Sequence, residues 1–508
     1  MRFWEDHAHR HPSDDGRAVV GESSRIRRWV VALLLATLPG SLVASAHAQE
    51  SASTESAKQA TPQATPDDRP FRLYRWQEDY SYLAGKPRND WETLKYIPLP
   101  GLPNSWLSLG GEVRYRLDAY DPYLFGLGKS GYNWASSQER IFQSFDLHLG
   151  RMFRGFVQFD AAREDGRRPV QRAYDQSTPD LRQAFLDFML PTTSGRIMIR
   201  GGRQELFLGE SRWLAVRDPT NLRRSFDGFL GEYDDPSLTL RAFAAHPVNI
   251  LPGAFDDNRL NTEFFRGFYA TIRKPFDVPV TIDAYVYARE QASVTYARGT
   301  AAEDRWSGGA RLTTRLAGFE GTVEAIRQWG SFGKAQIDAF GAFTDLGYRF
   351  SPLAAAAGNV TPKIGVRGHF ASGDDNLKSG TLHNFTAAYP AASIISEMSL
   401  LSASNTTNIQ PYVQLFTGPS GPVLGANWNV VRKVSVADSV YGPIGTLITA
   451  KNSTSRDVAQ IGQVDLTWDI SKFLQLHALY AHIFAGQYIR DAGGRDFDYY
   501  RLQIMARW

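Results

Sequence analysis

Between residues 203 and 228 the chain gathers charge of both signs: Arg203, Glu205, Arg217, Asp218, Arg223, Arg224 and Asp227 lie there, beside Pro219 and Gly228. A guanidinium stays charged at any ordinary pH and offers a planar fork of donors that matches a carboxylate. Such a mixture suits two tasks, tying a turn to a wall through ion pairs or meeting an anionic solute. Arg217, Arg223 and Arg224 crowd one short stretch with only Asp218 and Asp227 close by, so local positive charge remains. Pro and Gly mark a loop or a strand end. The segment is expected either to fold into an enclosed lumen as part of a constriction or to form an exposed turn.

Other chemistry finds little support. Cysteine is absent, which excludes disulfides and thiolate metal sites. His148, His369, His477 and His482 do not share the spacing of a zinc-protease helix, and no Gly-rich phosphate loop occurs. No Ser/His pair is identified by spacing, so a hydrolase is the least favoured class and no cofactor or metal is expected. Asp374, Asp375 and Asn376 after Gly373 offer oxygen ligands to Ca²⁺, but a solvated turn is the simpler reading. The net charge is +3 and Lys and Arg are scattered, so nucleic acid is not an expected partner.

The elements that position these charges have a period of two. From Leu107 the odd positions read Leu107, Leu109, Gly111, Val113, Tyr115, Leu117 and Ala119, whereas Glu112, Arg114, Arg116 and Asp118 lie between them. A strand sends alternate side chains to opposite faces, so one face is apolar and the other charged. The pattern returns in segments carrying Asp283, Arg289, Arg305, Arg311, Arg315, Glu320, Glu324, Lys363, Arg367, Asp465 and Asp469 on the polar face. A soluble sheet with one wet face also alternates. Here the alternation recurs to the last residue without a helical period, in units of about 10 residues, which favours a transmembrane antiparallel β-barrel over a secreted soluble β-protein. The final strand sets Tyr500, Leu502, Ile504, Ala506 and Trp508 against Arg501, Gln503 and Arg507. Its terminal aromatic resembles the signal by which outer-membrane barrels are recognised, so the barrel-assembly machinery is an expected partner.

The N-terminal region reads as an export address. Arg25, Arg27 and Arg28 precede the apolar run Trp29 to Leu38, and a small-residue stretch ends at Ala46-His47-Ala48. These are the three parts of a cleavable signal, with an atypical extension ahead of them and cleavage expected after Ala48. Residues 49–70 are rich in Ala, Ser, Thr, Gln and Pro and read as a disordered periplasmic tail. From Phe71 to Trp508 the texture is uniform, which predicts one barrel domain.

Several segments resemble the alginate-export family of outer-membrane barrels. They are Glu78-Asp79-Tyr80-Ser81-Tyr82-Leu83, Leu94-Lys95-Tyr96-Ile97-Pro98-Leu99 and Leu109-Gly110-Gly111-Glu112-Val113-Arg114. Gly202 to Leu206 and Asn221 to Gly228 form the most recognisable part, followed by His369 to Asp375, Asn384-Phe385, Tyr389-Pro390 and the stretch from Ile461 to Tyr488. Gln463 departs from the Glu expected there, which removes one carboxylate from the wall. The resemblance implies a monomeric barrel of about 18 strands, wide enough for an aqueous channel. It also implies a pore narrowed by loops and export of an anionic polysaccharide such as alginate.

A pore passing a polyuronate needs cations along its length and binding weak enough to release. The expected pore residues are Arg114, Arg116, Arg203, Arg217, Arg223, Arg224, Arg305, Arg311, Arg315 and Arg367. Glu112, Asp118, Glu205, Asp218, Asp227 and Asp465 are their counter-charges. Each wall arginine also has a purely structural reading, as one half of an inward ion pair. A porin-like uptake channel for small anionic or aromatic solutes is the alternative function. Outer-membrane lipid, the exported polymer and periplasmic export components complete the expected partners.

Overall fold

In the computed structural model the described residues are 71–508, except 128–132, 168–171, 211, 356–357, 392–393 and 443–446. The proposed signal and tail, residues 1–70, lie outside them. Alternation becomes architecture directly: 18 strands pair antiparallel with their sequence neighbours, and the last pairs with the first to close the barrel. The first nine are β1 (Trp106–Asp121), β2 (Trp134–Leu149), β3 (Phe153–Asp165), β4 (Ser177–Pro191), β5 (Arg196–Gln204), β6 (Phe226–Asp234), β7 (Leu238–Asn249), β8 (Glu263–Arg273) and β9 (Val280–Tyr296). They continue as β10 (Gly299–Leu316), β11 (Phe319–Phe332), β12 (Ala335–Arg349), β13 (Gly358–Ala371) and β14 (Thr406–Phe416). The wall ends with β15 (Val423–Lys433), β16 (Asp457–Ser471), β17 (Leu474–Ala485) and β18 (Phe497–Arg507). Glu112 of β1 sits across from Arg507 of β18 at the seam, so no sheet edge is left open there.

Polarity is inverted relative to a soluble protein. Leu186, Phe229 and Phe268 are 72%, 69% and 67% exposed, while the largest fully buried side chains begin with Arg114, Arg140, Arg182, Arg200 and Arg223. Apolar side chains therefore face outward to lipid and charged ones inward, as a transmembrane barrel requires. No helix among the described residues is long and apolar enough to cross a membrane, so the strands do the crossing.

The two ends differ. At the end holding Trp106 and Trp508 the connections are tight turns, such as Ala317-Gly318, where both residues adopt positive φ as two-residue hairpins favour. Longer connections lie at the other end and include L3 (205–225), L4 (250–262), L7 (372–405) and L8 (434–456). Short turns mark the periplasmic side of such barrels and long loops the extracellular side. β5 and β6 have 9 residues each, about half the 17 and 18 of β9 and β10. The wall is consequently low where L3 leaves it, and L3 enters the lumen instead of standing above the rim. A short segment ahead of β1, residues 71–98, closes over the periplasmic mouth with a capping box on its helix α1 (Asp90–Lys95).

Candidate functional site

L3 crosses the lumen. On one side the inward faces of β1 and β2 hold it. Arg114 donates to the carbonyls of Asp218 and Thr220 at 2.9 and 2.7 Å, and Arg116 donates to that of Pro219. Asn221, fully buried, reaches the carbonyls of Glu139, Arg163 and Asp175 at 2.9–3.0 Å. On the far side, Gly209 lies so close to Tyr269 and Arg311 that an added Cβ would come within 2.5 Å of the tyrosine oxygen. Arg212 lies over the ring of Phe343 at 3.6 Å. Only a glycine with φ of +59° fits that approach.

A knot of buried charge fixes this crossing. Arg140 pairs with Glu112 and with Asp218, the latter at 3.1 Å. Arg223 pairs with Asp218 at 3.2 Å and Glu112 at 3.4 Å, and its Nη1 donates to the carbonyl of Leu73 at 2.6 Å. Arg182 donates to the carbonyl of Arg223 and pairs with Asp160 and Asp257. Within the knot, guanidiniums and carboxylates satisfy one another, and little charge is left to offer a solute.

L7 meets L3 inside the barrel. Leu214 and Tyr389 form a parallel bridge, in which Ala215 N–H donates to Tyr389 at 2.7 Å and Tyr389 N–H to Trp213 at 3.0 Å. The guanidiniums of Arg224 and Arg289 each lie 4.6 Å from the Tyr389 ring centre. Arg289 forms two parallel bonds of 2.9 Å to Glu263, which also accepts the Tyr389 hydroxyl. Arg217 and Arg289 are both near enough to repel Arg224. Arg217 stacks on Tyr174 at 4.5 Å. Among the described residues neither Arg217 nor Arg224 forms an ion pair with a carboxylate, so at this junction Arg289 alone is paired and positive charge is in excess. All three remain partly exposed.

The expected pore residues thus divide. Arg114, Arg116, Arg223, Arg305 and Arg311 are corrected from lumen ligands to buried ties. Arg305 pairs with Glu303 and donates to the Asn384 carbonyl of L7, and Arg311 pairs with Asp283 at 2.7 Å. Arg203 is a tie as well, forked onto Asp227 at 2.8 and 3.1 Å. The cause is common to all six: an inward guanidinium in a loop-filled lumen meets carbonyls and carboxylates before water. Arg367 pairs with Asp345 at 3.0 Å but stays partly open, and Arg315 is exposed at the periplasmic mouth. Of the counter-charges, Glu112, Asp118, Asp218 and Asp227 are paired. Asp118 accepts from Arg501 at 3.1 Å and from the Tyr499 hydroxyl at 2.7 Å. Asp465 is half of no ion pair among the described residues and meets Gln463 at 3.4 Å. Glu205 pairs with Arg223 only at 3.7 Å, and among the described residues neither of its oxygens has a hydrogen-bond partner. Asp374 is no open turn, because Arg298 grips it at 2.7 Å.

Arg140, Arg182, Arg289 and Tyr389 were not among the expected site residues. Arg289 had been placed on the polar face of its strand, but nothing local tied it to Tyr389 in a loop far along the chain. β2 hides Arg140 because its outward face also carries polar Glu139 and Gln143.

A family model described as alginate export matches residues 105–503. The chain belongs to that family. It is an outer-membrane β-barrel channel, and its family and fold are those of channels rather than enzymes. No curated protein matches it. Among solved structures it is similar to a BenF-like porin from Pseudomonas fluorescens Pf-5, with a TM-score of 0.52, 9% identity, and coverage of 79% of this chain and 98% of that one. Pseudomonas aeruginosa OccK11 (OpdR) gives 0.51 at 13% identity, covering 80% and 96%. OccK2 (OpdF) from the same organism gives 0.51 at 11% identity, covering 78% and 97%. At these identities the likeness speaks for the fold of the family's barrel.

Proposed function

We propose that this channel exports an anionic exopolysaccharide of the alginate kind, by passive conduction through an electropositive lumen. The observation that carries the reading is the junction of L3 and L7, where Arg224 and Arg289 flank the Tyr389 ring beside the carboxylate of Glu263, with Arg217 near enough to repel Arg224. Uncompensated charge on a narrow path selects which ions enter. A ring flanked by guanidiniums also gives a sugar a flat apolar face beside donors for its carboxylate. Membership of the alginate-export family supports an acidic polymer as cargo.

A second reading, uptake of small anionic or aromatic solutes, is favoured by one feature: L3 and L7 meet across the lumen, which leaves less room for a chain of sugars than for a single small acid. Planar-bilayer recording separates the two. Under the first reading polyuronate blocks the salt current from the periplasmic side at lower concentration than uronic acid monomer does. Equal block by polymer and monomer, together with loss of growth on a small acid in a deletion strain, would sink export. A cation-selective wild-type pore would sink both.

A further inference from the structure

The segment ahead of β1 reaches into the periplasmic half of the lumen and touches L3. Leu73 accepts from Arg223 of L3 at 2.6 Å, and the Tyr74 ring lies 4.8 Å from that of Phe207 in L3. Trp76 packs under Arg200 of β5 at 4.4 Å while its carbonyl accepts from Arg154 of β3 at 2.5 Å. Arg75 donates to the carbonyls of Gly111 and Trp508, where the first and last strands meet. Farther along, buried Lys95 donates to the carbonyl of Leu109 at 2.7 Å. The hold combines these polar contacts with rings and a small buried cluster of Tyr80, Leu83 and Tyr96 on Trp106 of β1, and the outer side of the segment, around residues 84–86, is exposed. A short segment outside the closed sheet can detach locally without unfolding of the whole.

A second observation shows what withdrawal would leave. Glu205, at the start of L3, is 1% exposed, and neither carboxylate oxygen has a hydrogen-bond partner. A buried polar group left unmade is costly, and an ionised one more so. Arg223 forms only a long ion pair with Glu205, Nη1 standing 3.7 Å from Oε2 while the same nitrogen donates to Leu73 at 2.6 Å. Without Leu73, the guanidinium needs to move only about 1 Å to form a charge-assisted bond with Glu205. Arg223 thus stands between two acceptors, one on the segment and one on the loop.

We infer that residues 71–95 are a periplasmic plug that braces L3 from below, beside the knot that fastens it to the wall, and that the channel opens when the plug withdraws and Arg223 passes from the Leu73 carbonyl to a hydrogen bond with Glu205. The carboxylate left without a hydrogen bond makes the closed state dependent on the plug, and tightening of this long ion pair to hydrogen-bond length stabilises L3 once the plug has left. This device depends on the chain being a channel and not on which anion it carries.

The chain has no cysteine, so Tyr74→Cys with Phe207→Cys supplies the only two thiols. The full-length mature barrel is recorded in a planar bilayer with potassium chloride alone, then treated with a short bis-methanethiosulfonate, then with reductant. Bridging the plug to L3 is expected to lower open probability about fivefold or more, the size of a modest coupling between sites, and reductant to restore it. Each molecule is its own folded control. Equal opening before and after bridging overturns the plug. Glu205→Leu in the cysteine-free chain removes the second acceptor and is expected to lower open probability without any bridge. Opening at the wild-type level in that variant, with normal heat-modifiability, overturns the exchange by Arg223.

Discussion

Arg223 and Arg224 are neighbours in the chain and belong to different worlds. Arg223 turns toward the wall, into the knot with Glu112, Asp218 and Arg140, where charges cancel. Arg224 turns the opposite way, to the junction with L7, where Tyr389 and Arg289 meet it and cancellation is incomplete. Successive residues of an extended segment point to opposite sides. One loop thereby fastens itself with one face and presents charge with the other. The comparison teaches that an arginine in a lumen is read by its neighbours' charge, not by its own.

The sharpest way to break the comparison is to cut the knot. Arg140→Ala leaves Glu112 and Asp218 short of a buried partner, which typically costs about 3–5 kcal/mol. The folded, heat-modifiable fraction is expected to fall severely, and any survivors to keep their reversal potential in a salt gradient. Normal yield of folded barrel would make the knot dispensable. Cutting the junction should do the reverse. Arg217→Ala with Arg224→Ala is expected to cut the anion-over-cation permeability ratio several-fold and weaken polyuronate block, with little loss of folded barrel, because among the described residues neither side chain has a carboxylate partner to orphan. Unchanged selectivity would move the filter to Arg367 and Arg315.

Glu263→Gln sharpens the contrast from the other direction. It keeps one oxygen to accept from Arg289 Nε and the Tyr389 hydroxyl, gives up the second Arg289 bond, and removes the carboxylate's charge. Block by polyuronate should tighten about threefold, a shift of under 1 kcal/mol. Weaker block would mean that Glu263 acts by positioning alone.

The smallest effect concerns Lys95 in the plug. Burial pushes its ammonium down to about 7, below the ordinary lysine range. A base with a lower pKa when docked than when free releases a proton on docking. The plug is then held more firmly as pH rises above about 7, and docking is level below that value. Open probability should be equal at about pH 6 and 7 and lower at about pH 9, by less than the knot or junction variants change their own readouts. Lys95→Met should flatten the profile. A flat profile in the wild-type chain would show that the docked lysine stays charged.

Much of the wall was legible in the residues themselves. The alternation around Glu112, Arg114, Arg116 and Asp118 is an order carried by neighbours two apart, and the barrel preserves it strand after strand. The crowding of charge from Arg203 to Asp227 also pointed to a segment folded inward. Its inner partners were not legible. Whether Arg223 meets Leu73 or open water depends on a contact 150 positions away. The same holds for Arg289 and Tyr389, joined by loop packing that no local period records. Pairing between distant loops obeys shape and the satisfaction of buried groups, and neither leaves a repeating mark on the chain.

The inverted polarity of the wall has a consequence for the chain's journey. Because apolar residues alternate with charged ones, mean hydropathy stays at −0.33 and no stretch can be mistaken for a greasy helix. An insertion apparatus that sorts segments by average greasiness would let every strand go by. The lipid-facing skin, with Leu186, Phe229 and Phe268 on it, comes into being only when the sheet curls shut and gathers every second residue onto one surface. Until then the polypeptide travels as a water-compatible thread, and membrane residence is a property of its closure.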